Sequence, residues 1–536
     1  MSQHTLAESV GPLLQTPDIC QIGGLAVLYP ILEDLSLQAE INARRPSKAK
    51  IDLGRITLLL TLNRLLAPQP MYKVGAWADT TVIPRFLSLS VAQLYENRLG
   101  RAMDALYPII GEAWCRLAAR AVQQEGIDLS AVHWDTTSFY FEGEYATSDL
   151  ARYGHSRDHR SDTKQANLGL SVTSRERLPI IYQTLAGNTD DRATAVPHIK
   201  ALVAFLSRPE LAAAGVRPII VSDCKMITPA AVFACHANHL YYLGTLPAEK
   251  EVKQLIADVP DPELAAHELS YRPKRQLPQG QSFVPYRGVW RPFTFTAAGE
   301  SVTDRALVVW SAGKEQLDQQ KRKSDLKRLL NGLATIQRQL NTGKFQKRDY
   351  VVEQVAGIRR GNQAKPLVDV QLTGEDGALY LHFCINRQRL AVAQRLDGKY
   401  ALATNAVHLS ENDALAYFKA QDGVEKSIAA VKGPLRVRPV FLQSDKRIQV
   451  LVFFNLVALL VRAILELRLQ RAGLSYSADK VLFAFAALNA VYQRFSDGSQ
   501  VPQLGKVSRF QQEVLSALQL PPAMRYVAPS PLVIAA

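Results

Sequence analysis

Three acidic residues stand where chemistry would need them. Asp135 lies inside Ala131–Phe141, AVHWDTTSFYF, a stretch apolar and β-branched enough to form a buried strand. An unpaired carboxylate is costly there, so Asp135 is expected either to meet a cation or to belong to a site. Asp223 ends a second apolar stretch, PIIVSD, which begins at Pro218. Glu425 lies far downstream in VEKSIAAVK, a short helical pattern closed by Gly433 and Pro434. Two strand-borne aspartates and one helix-borne glutamate are what a two-metal phosphoryl-transfer site requires. Hard divalent cations take carboxylate oxygens, and two ions can clamp the attacking and leaving oxygens of a phosphodiester.

The elements that must position these acids follow a recognisable order. After the Asp135 strand comes a polar segment, YGHSRDHRSDTKQ (Tyr153–Gln165), and then NLGLSVT and LPIIYQTLAG, which read as a hairpin. Asp190 and Asp191 open a helix through Ala195–Leu206, with acids suited to its first turn. Pro218–Asp223 is the next strand, Pro229–Ala237 a short helix and His239–Leu246 another strand. Three strands, a helix, a strand, a helix and a strand is the order of a ribonuclease-H-like core, with one carboxylate on its first strand and another ending its fourth. Ser410 begins the helical segment that holds Glu425, and Asp422-Gly423 weakens or breaks it. Glu425 and Lys432 are nearly two turns apart, on one helix face.

Around this core the pattern changes. Gly24–Leu35, Ile51–Leu66 and Ala102–Gln124 read as helices, and Arg44, Arg45, Lys48 and Lys50 form a basic patch between two of them. Between Ala248 and Asn405 the strand-like pieces Phe283–Phe295, Arg305–Ser311, Pro366–Thr373 and Ala378–Asn386 alternate with one long polar helix near Lys314–Leu340. Residues 314–348 carry ten basic residues against Glu315, Asp318 and Asp325, which suits either a solvated spacer or a phosphate-facing surface. The chain then runs through RVRPVF into an apolar helix, Ile448–Leu469, a further helix, Ala478–Phe495, and a proline-containing tail.

Bulk composition narrows the class. A chain of 536 residues is expected to form several domains, and 47% apolar with 21% charged residues is ordinary for a globular protein. A formal charge of +14 and a pI near 9.4 favour a polyanionic partner, nucleic acid being the commonest. Cys20, Cys115, Cys224, Cys235 and Cys384 are scattered without a CxxC pair, which argues against a disulfide framework and a cysteine-rich zinc site. Cys235, His236 and His239 lie close in sequence but lack the rest of a zinc signature. MSQHTLAESV does not have the order of a signal peptide, and the run Ile448–Leu460 reads as a buried core helix too short to span a bilayer. No internal repeat, P-loop or dinucleotide-binding glycine fingerprint is evident.

With the carboxylates placed, the chain resembles the DDE transposases encoded by bacterial insertion sequences, in the cut-and-paste lineage whose ribonuclease-H-like core is split by a β-rich insertion. The resembling segments are HWDTTSFYF, YGHSRDHRSDTKQANLGL, PIIVSDCKM, LDGKYALATN and FKAQDGVEKSIAAVKGPLRVRPVF, in family order over most of 20–470. The resemblance implies a mixed α/β chain: a helical DNA-binding region in 1–128, the core in 129–247 and 406–470, the β-rich insertion in 248–405, and a C-terminal helical region and tail in 471–536. It implies cleavage at transposon terminal inverted repeats and joining of the 3′-hydroxyl ends to target DNA, with Mg²⁺ as cofactor and Mn²⁺ as a substitute.

Asp135, Asp223 and Glu425 match the metal-binding acids, and Lys432 matches the lysine that touches a DNA phosphate. The signature's tyrosine and arginine are replaced by Phe418 and Gln421, and Lys225 would supply a compensating charge. Further DNA contacts are expected from Arg157, His159, Arg160 and Lys164 after the first strand, unless these pair with Asp158 and Asp162 as a salt-bridged loop. Others are expected from Arg436 and Arg438, and from Lys321, Arg322, Lys323, Lys327 and Arg328 of the basic helix. Double-stranded DNA, a homodimer on that DNA, no membrane, and a cytoplasmic, nucleoid-associated setting complete the expectation. Two other classes compete. A catalytically silent DNA-binding relative would keep the basic helix but have little need of three acids; a ribonuclease-H-like nuclease without strand transfer would keep the acids but not the long insertion.

Overall fold

This computed structural model describes residues 14–46, 49, 51–212, 215–272, 285–438, 440–496 and 500–527. Lys48 and Lys50 of the basic patch, the segment MSQHTLAESV, the first residues of the stretch Phe283–Phe295 and the end of the tail lie outside the described residues. In chain order the strands are β1 (Leu14–Gln21), β2 (Ala131–Tyr140), β3 (Gln165–Thr173), β4 (Pro179–Ala186), β5 (Ile219–Ser222), β6 (Tyr241–Thr245) and β7 (Glu268–Leu269). There follow β8 (Tyr286–Ala297), β9 (Glu300–Ser311), β10 (Val368–Thr373), β11 (Tyr380–Ile385), β12 (Lys399–Thr404), β13 (Asn489–Phe495) and β14 (Gln500–Leu504). The chain forms two compact units: one comprises 1–221, 237–240 and 420–536, the other 222–236 and 241–419. The fold is mixed α/β.

The first unit is built on the strand order β4-β3-β2-β5. β2 pairs antiparallel with β3, setting Asp135 opposite Leu170, and parallel with β5, setting Ala131 beside Ile219. β3 is buried along its whole length, as a strand covered on both faces must be. The helix Asp445–Arg471 packs on β4 and on the helices Leu25–Asp34, Leu53–Leu66, Glu96–Leu106 and Ile110–Gln124. By length and composition it is long and apolar enough to cross a membrane, but 83% of its most apolar window is buried inside the protein, as expected of a core helix. Asp445 in its first turn accepts hydrogen bonds from the Ser148 hydroxyl (2.5 Å) and from the N–H groups of Asp149 (2.9 Å) and Leu150 (3.2 Å), which ties the segment after β2 to the helix N-terminus.

The second unit is antiparallel throughout, in the order β6-β12-β9-β8-β7, with β10 and β11 as a separate hairpin. A 28-residue helix, Ala312–Gln339, follows β9, capped by the Ser311 hydroxyl. Its Leu329, Leu333 and Ile336 form a small core with Val351 and with Val368, Leu379 and Leu381 at the hairpin.

Four sequence expectations change. The single helix expected over Ala102–Gln124 is two, Glu96–Leu106 and Ile110–Gln124, because Pro108 forces the tight turn Tyr107–Ile109 between them. The helix expected over Ala478–Phe495 stops at Phe485, and Asn489–Phe495 is a strand. There, burial alternates at Ala490 and Tyr492, and the strand is held between β1 and β14. β1 itself was not expected: Pro17 lies where its register shifts, between Gln15 and Asp18, and masks the strand pattern. The helices Arg348–Arg359 and Arg387–Arg395 were likewise hidden in a region read as β-rich.

Gly169 on β3 shows how tightly the sheet is filled. A Cβ there would lie 2.2 Å from the ring of Trp134, which is fully buried and stacks on His198 at 3.8 Å. Gly169→Ala is therefore expected to cost about 1–3 kcal/mol. A shift of the unfolding midpoint to lower denaturant concentration checks this; an unchanged midpoint would show that the ring yields freely.

Candidate active site

The cation that a mid-strand carboxylate demands is Arg157. Asp135 Oδ1 accepts the Thr136 N–H at 2.7 Å and lies 3.6 Å from the Arg157 guanidinium. The same guanidinium donates to Asp191 Oδ2 at 2.9 Å and to Thr136 Oγ1 at 2.5 Å, and the Thr136 hydroxyl donates to Asp191 Oδ1 at 2.8 Å. The Arg157 N–H donates to Ser138 Oγ at 3.0 Å. Thr136 and Ser138 are two apart on β2, so one face of the strand receives both the backbone and the head of Arg157. Asp191 opens the short turn Asp191–Thr194, capped by Asp190, ahead of the helix Ala195–Leu206. Sequence reasoning gave Asp191 only a helix-dipole role; its pairing with Arg157 has no local sequence signal.

The next residue faces other partners. Asp158 is only 7% exposed; Lys432 Nζ lies 2.8 Å from Oδ1 and Arg438 3.0 Å from Oδ2. Burial, the largest cause, lowers the Lys432 pKa below the ordinary lysine value, against the pull of Asp158. Arg160 forms three hydrogen bonds with Asp162 and lies 5.0 Å from the centre of the Tyr140 ring, which Arg438 approaches at 5.7 Å. Lys164 donates to the carbonyls of Glu144 and Tyr145 at 2.8 and 3.0 Å. His159 and Arg436 are exposed and hold positive φ angles of 56° and 47°. The segment after Pro434 reaches Arg438 because Val440 bridges to Phe141, and the Tyr145 hydroxyl donates to the Val440 carbonyl at 2.8 Å.

Glu425 lies on the helix Asp422–Lys432, which begins after a break at Ala420 and Gln421. The helix packs on β2 and β3, burying Val424, Ser427 and Val431 and leaving Glu425 exposed.

Asp223 belongs to the second unit and directly follows β5; it accepts the Lys225 N–H at 3.0 Å in a tight turn. On the helix Ala312–Gln339, Lys321, Lys323 and Lys327 are exposed, Arg328 pairs with Asp325 at 2.9 Å, and Arg322 makes a two-pronged pair with the buried Asp397. Phe418 packs beside Tyr400, ring centres 6.1 Å apart. His236 pairs with Asp304 at 2.9 Å, and neighbouring Cys235 is buried.

As donors for Mg²⁺ the three carboxylates have the right chemistry, all oxygen. Their assembly does not fit an ion as it stands: Asp135 is engaged by Arg157, Glu425 faces solvent, and among the described residues no three His, Cys, Asp or Glu side chains gather into a set that would hold a metal.

No family model matches the chain, and no curated protein matches its sequence. Among solved structures, the piggyBac transposase synaptic complex with hairpin DNA matches at 8% identity and a TM-score of 0.38, over 88% of this chain and 82% of that one. The Mos1 transposase paired-end complex with the left transposon end matches at 12% identity and a TM-score of 0.16, and the Mos1 mariner paired-end complex with Mn at 13% and 0.17. Each Mos1 match covers 39% of this chain and 62% of that one. Scores this low leave the functional reading to the residues themselves.

Two buried histidines, His133 on the Asp135 strand and His198 on the helix that packs against it, set an acid limit on the fold. His133, bonded to the Ser174 hydroxyl at 2.9 Å, is lowered by burial to about 4. His198, 3.2 Å from the Ser171 hydroxyl, is lowered by burial to about 3. Below the ordinary histidine pKa of about 6.5 the unfolded chain takes up protons that the folded chain refuses, so their contribution is complete above that pH and is lost as pH falls toward 4 and then 3. Each histidine is expected to remove about 2 kcal/mol at pH 5. Denaturant titrations from pH 7.5 to 5 check this: His198→Asn should flatten the slope, and an equal slope in the variant would remove His198 from the account.

Proposed function

We propose that the chain is the transposase of an insertion sequence, cutting double-stranded DNA at terminal inverted repeats and joining the freed 3′-hydroxyl ends to target DNA. The observation that carries the reading is the placement of the acids within the family-like segments. Asp135 lies inside β2, Asp223 follows β5, the strand paired in parallel with β2, and Glu425 lies on a helix laid over β2 and β3.

The resemblance assigns Mg²⁺, or Mn²⁺ in its place, to Asp135, Asp223 and Glu425; in the free chain Arg157 engages Asp135, so an ion would be held only once that guanidinium withdraws, and it would then supply activation of water or of the 3′-hydroxyl and stabilisation of the leaving oxygen. In the free protein the Arg157 guanidinium, 3.6 Å away, is the counter-charge of the half-buried Asp135. Lys432, Arg438 and Arg160 are the cations available near the end of β2 for a DNA backbone, and Lys321, Lys323 and Lys327 present an exposed row in the second unit. Cutting two ends requires paired sites, so a homodimer on DNA is part of the proposal, as is a cytoplasmic, nucleoid-associated setting.

A second reading, a catalytically silent DNA-binding protein, is favoured by one feature: Arg157 stands at Asp135 where an ion would be needed. One assay separates the two: cleavage of a labelled duplex bearing the element's terminal repeat, with Mg²⁺ or Mn²⁺, by wild type and Glu425→Ala. Because Glu425 is exposed, the substitution should leave fold and binding intact while lowering cleavage by on the order of a hundredfold or more. A wild type that binds but cuts with neither ion establishes the silent protein; failure to bind removes both readings.

A further inference from the structure

The loop after β2 carries two adjacent opposite charges, and each serves as the counter-ion of a different group. Arg157 compensates Asp135 and Asp191, whereas Asp158 is enclosed by Lys432 and Arg438. The second pairing has the form of an occupied anion site. Its cations come from separate places, the last turn of the Glu425 helix and the run after Pro434, and each meets a different oxygen of one carboxylate. The grip is incomplete: Arg438 meets Asp158 Oδ2 at ion-pair distance without hydrogen-bond alignment, and that buried oxygen has no hydrogen-bond partner among the described residues. A stronger, doubly hydrogen-bonding acceptor would satisfy both heads better. Tyr140 supports the site from β2, with Arg438 and Arg160 both beside its ring.

We propose that Asp158 is an internal stand-in for a DNA backbone phosphate: it closes the Lys432–Arg438 site in the free protein and is displaced when a phosphodiester enters. The proposal deepens the transposase reading and rests on it for the identity of the anion. Because Asp158 is covalently next to Arg157, its displacement loosens the guanidinium at Asp135, so DNA entry and release of the acid are coupled in one loop movement.

The test uses the full chain and a fluorescein-labelled duplex of arbitrary sequence, with fluorescence anisotropy followed across a salt series. Asp158→Asn is expected to bind about tenfold more tightly than wild type at fixed salt, and most of the gain should vanish in the Asp158→Asn, Lys432→Gln double variant. Asp149→Asn, the same charge change at an exposed acid of the same loop, sets the size of a general charge effect and should change little. A folded Asp158→Asn that gains no more than Asp149→Asn, or keeps its whole gain without Lys432, overturns the proposal. If Asp158→Asn melts below wild type, Arg438→Gln reads the same site in an otherwise native chain. It should weaken duplex binding and flatten the salt dependence by about one unit of slope; unchanged affinity and slope overturn the proposal. A gain in Asp158→Asn without cleavage of the terminal repeat would keep this inference and remove the transposase reading. Cleavage without the gain would do the reverse.

Discussion

A carboxylate inside a paired strand cannot be left bare, and much of the local structure follows from that constraint. Asp135 sits opposite Leu170 of β3, two residues beyond the end of the pairing with β5, and its side chain is only partly open to water. The compensation is distributed. The Thr136 N–H takes one oxygen, Arg157 stands nearby, and Asp191 and Thr136 fix the far end of that guanidinium. Holding Arg157 in turn fixes the loop after β2, and the loop carries Asp158 inward to the Glu425 helix. The candidate site of the first unit is thus one connected set of charges, satisfied internally before any partner arrives.

That charge set needs a rigid support, and the helix Asp445–Arg471 is well suited to provide one. Buried by surrounding helices and β4, it anchors the post-β2 segment through Asp445, while Arg462 and Arg468 pair toward its C-terminal end with Asp479 and Glu125. Partial burial lets these ion pairs orient chain segments more than they add stability. The second unit has a different character. Its long helix buries a narrow apolar stripe and leaves lysines exposed, an arrangement of a helix that packs on one side and meets solvent or a polyanion on the other.

Elements with a clear period were legible in the sequence. The Asp135 strand, the hairpin after it and the long basic helix appear where apolar spacing and Gly, Pro or Asp punctuation put them, and the break before the Glu425 helix falls at Ala420 and Gln421, just ahead of the Asp422-Gly423 expected to cause it. Long-range pairing was not. Nothing in LQTPDICQ announces a strand whose ladder partner is Asn489–Phe495, and Pro17 argues locally against one. Charges show the same division. The sequence gives the sign of Arg157, Asp158, Asp191 and Lys432, but an ion pair is a property of the folded arrangement. Asp158 and Lys432 are 274 positions apart, and only the fold brings them to 2.8 Å.

The pairing of β1 with β13 also orders events in time. Leu14 lies opposite Phe495, and the residues of the second unit, 222–236 and 241–419, are made between those of the first. At roughly 5–20 residues per second, the ribosome supplies the partner of β1 only after about half a minute to a minute and a half. Until then β1 is an unpaired edge, and until residues 422–471 have been made the sheet holding Asp135 also lacks its overlying helix and the long core helix. A translation product cut short anywhere before residue 489 would therefore lack β13 altogether, however much of the second unit it had completed.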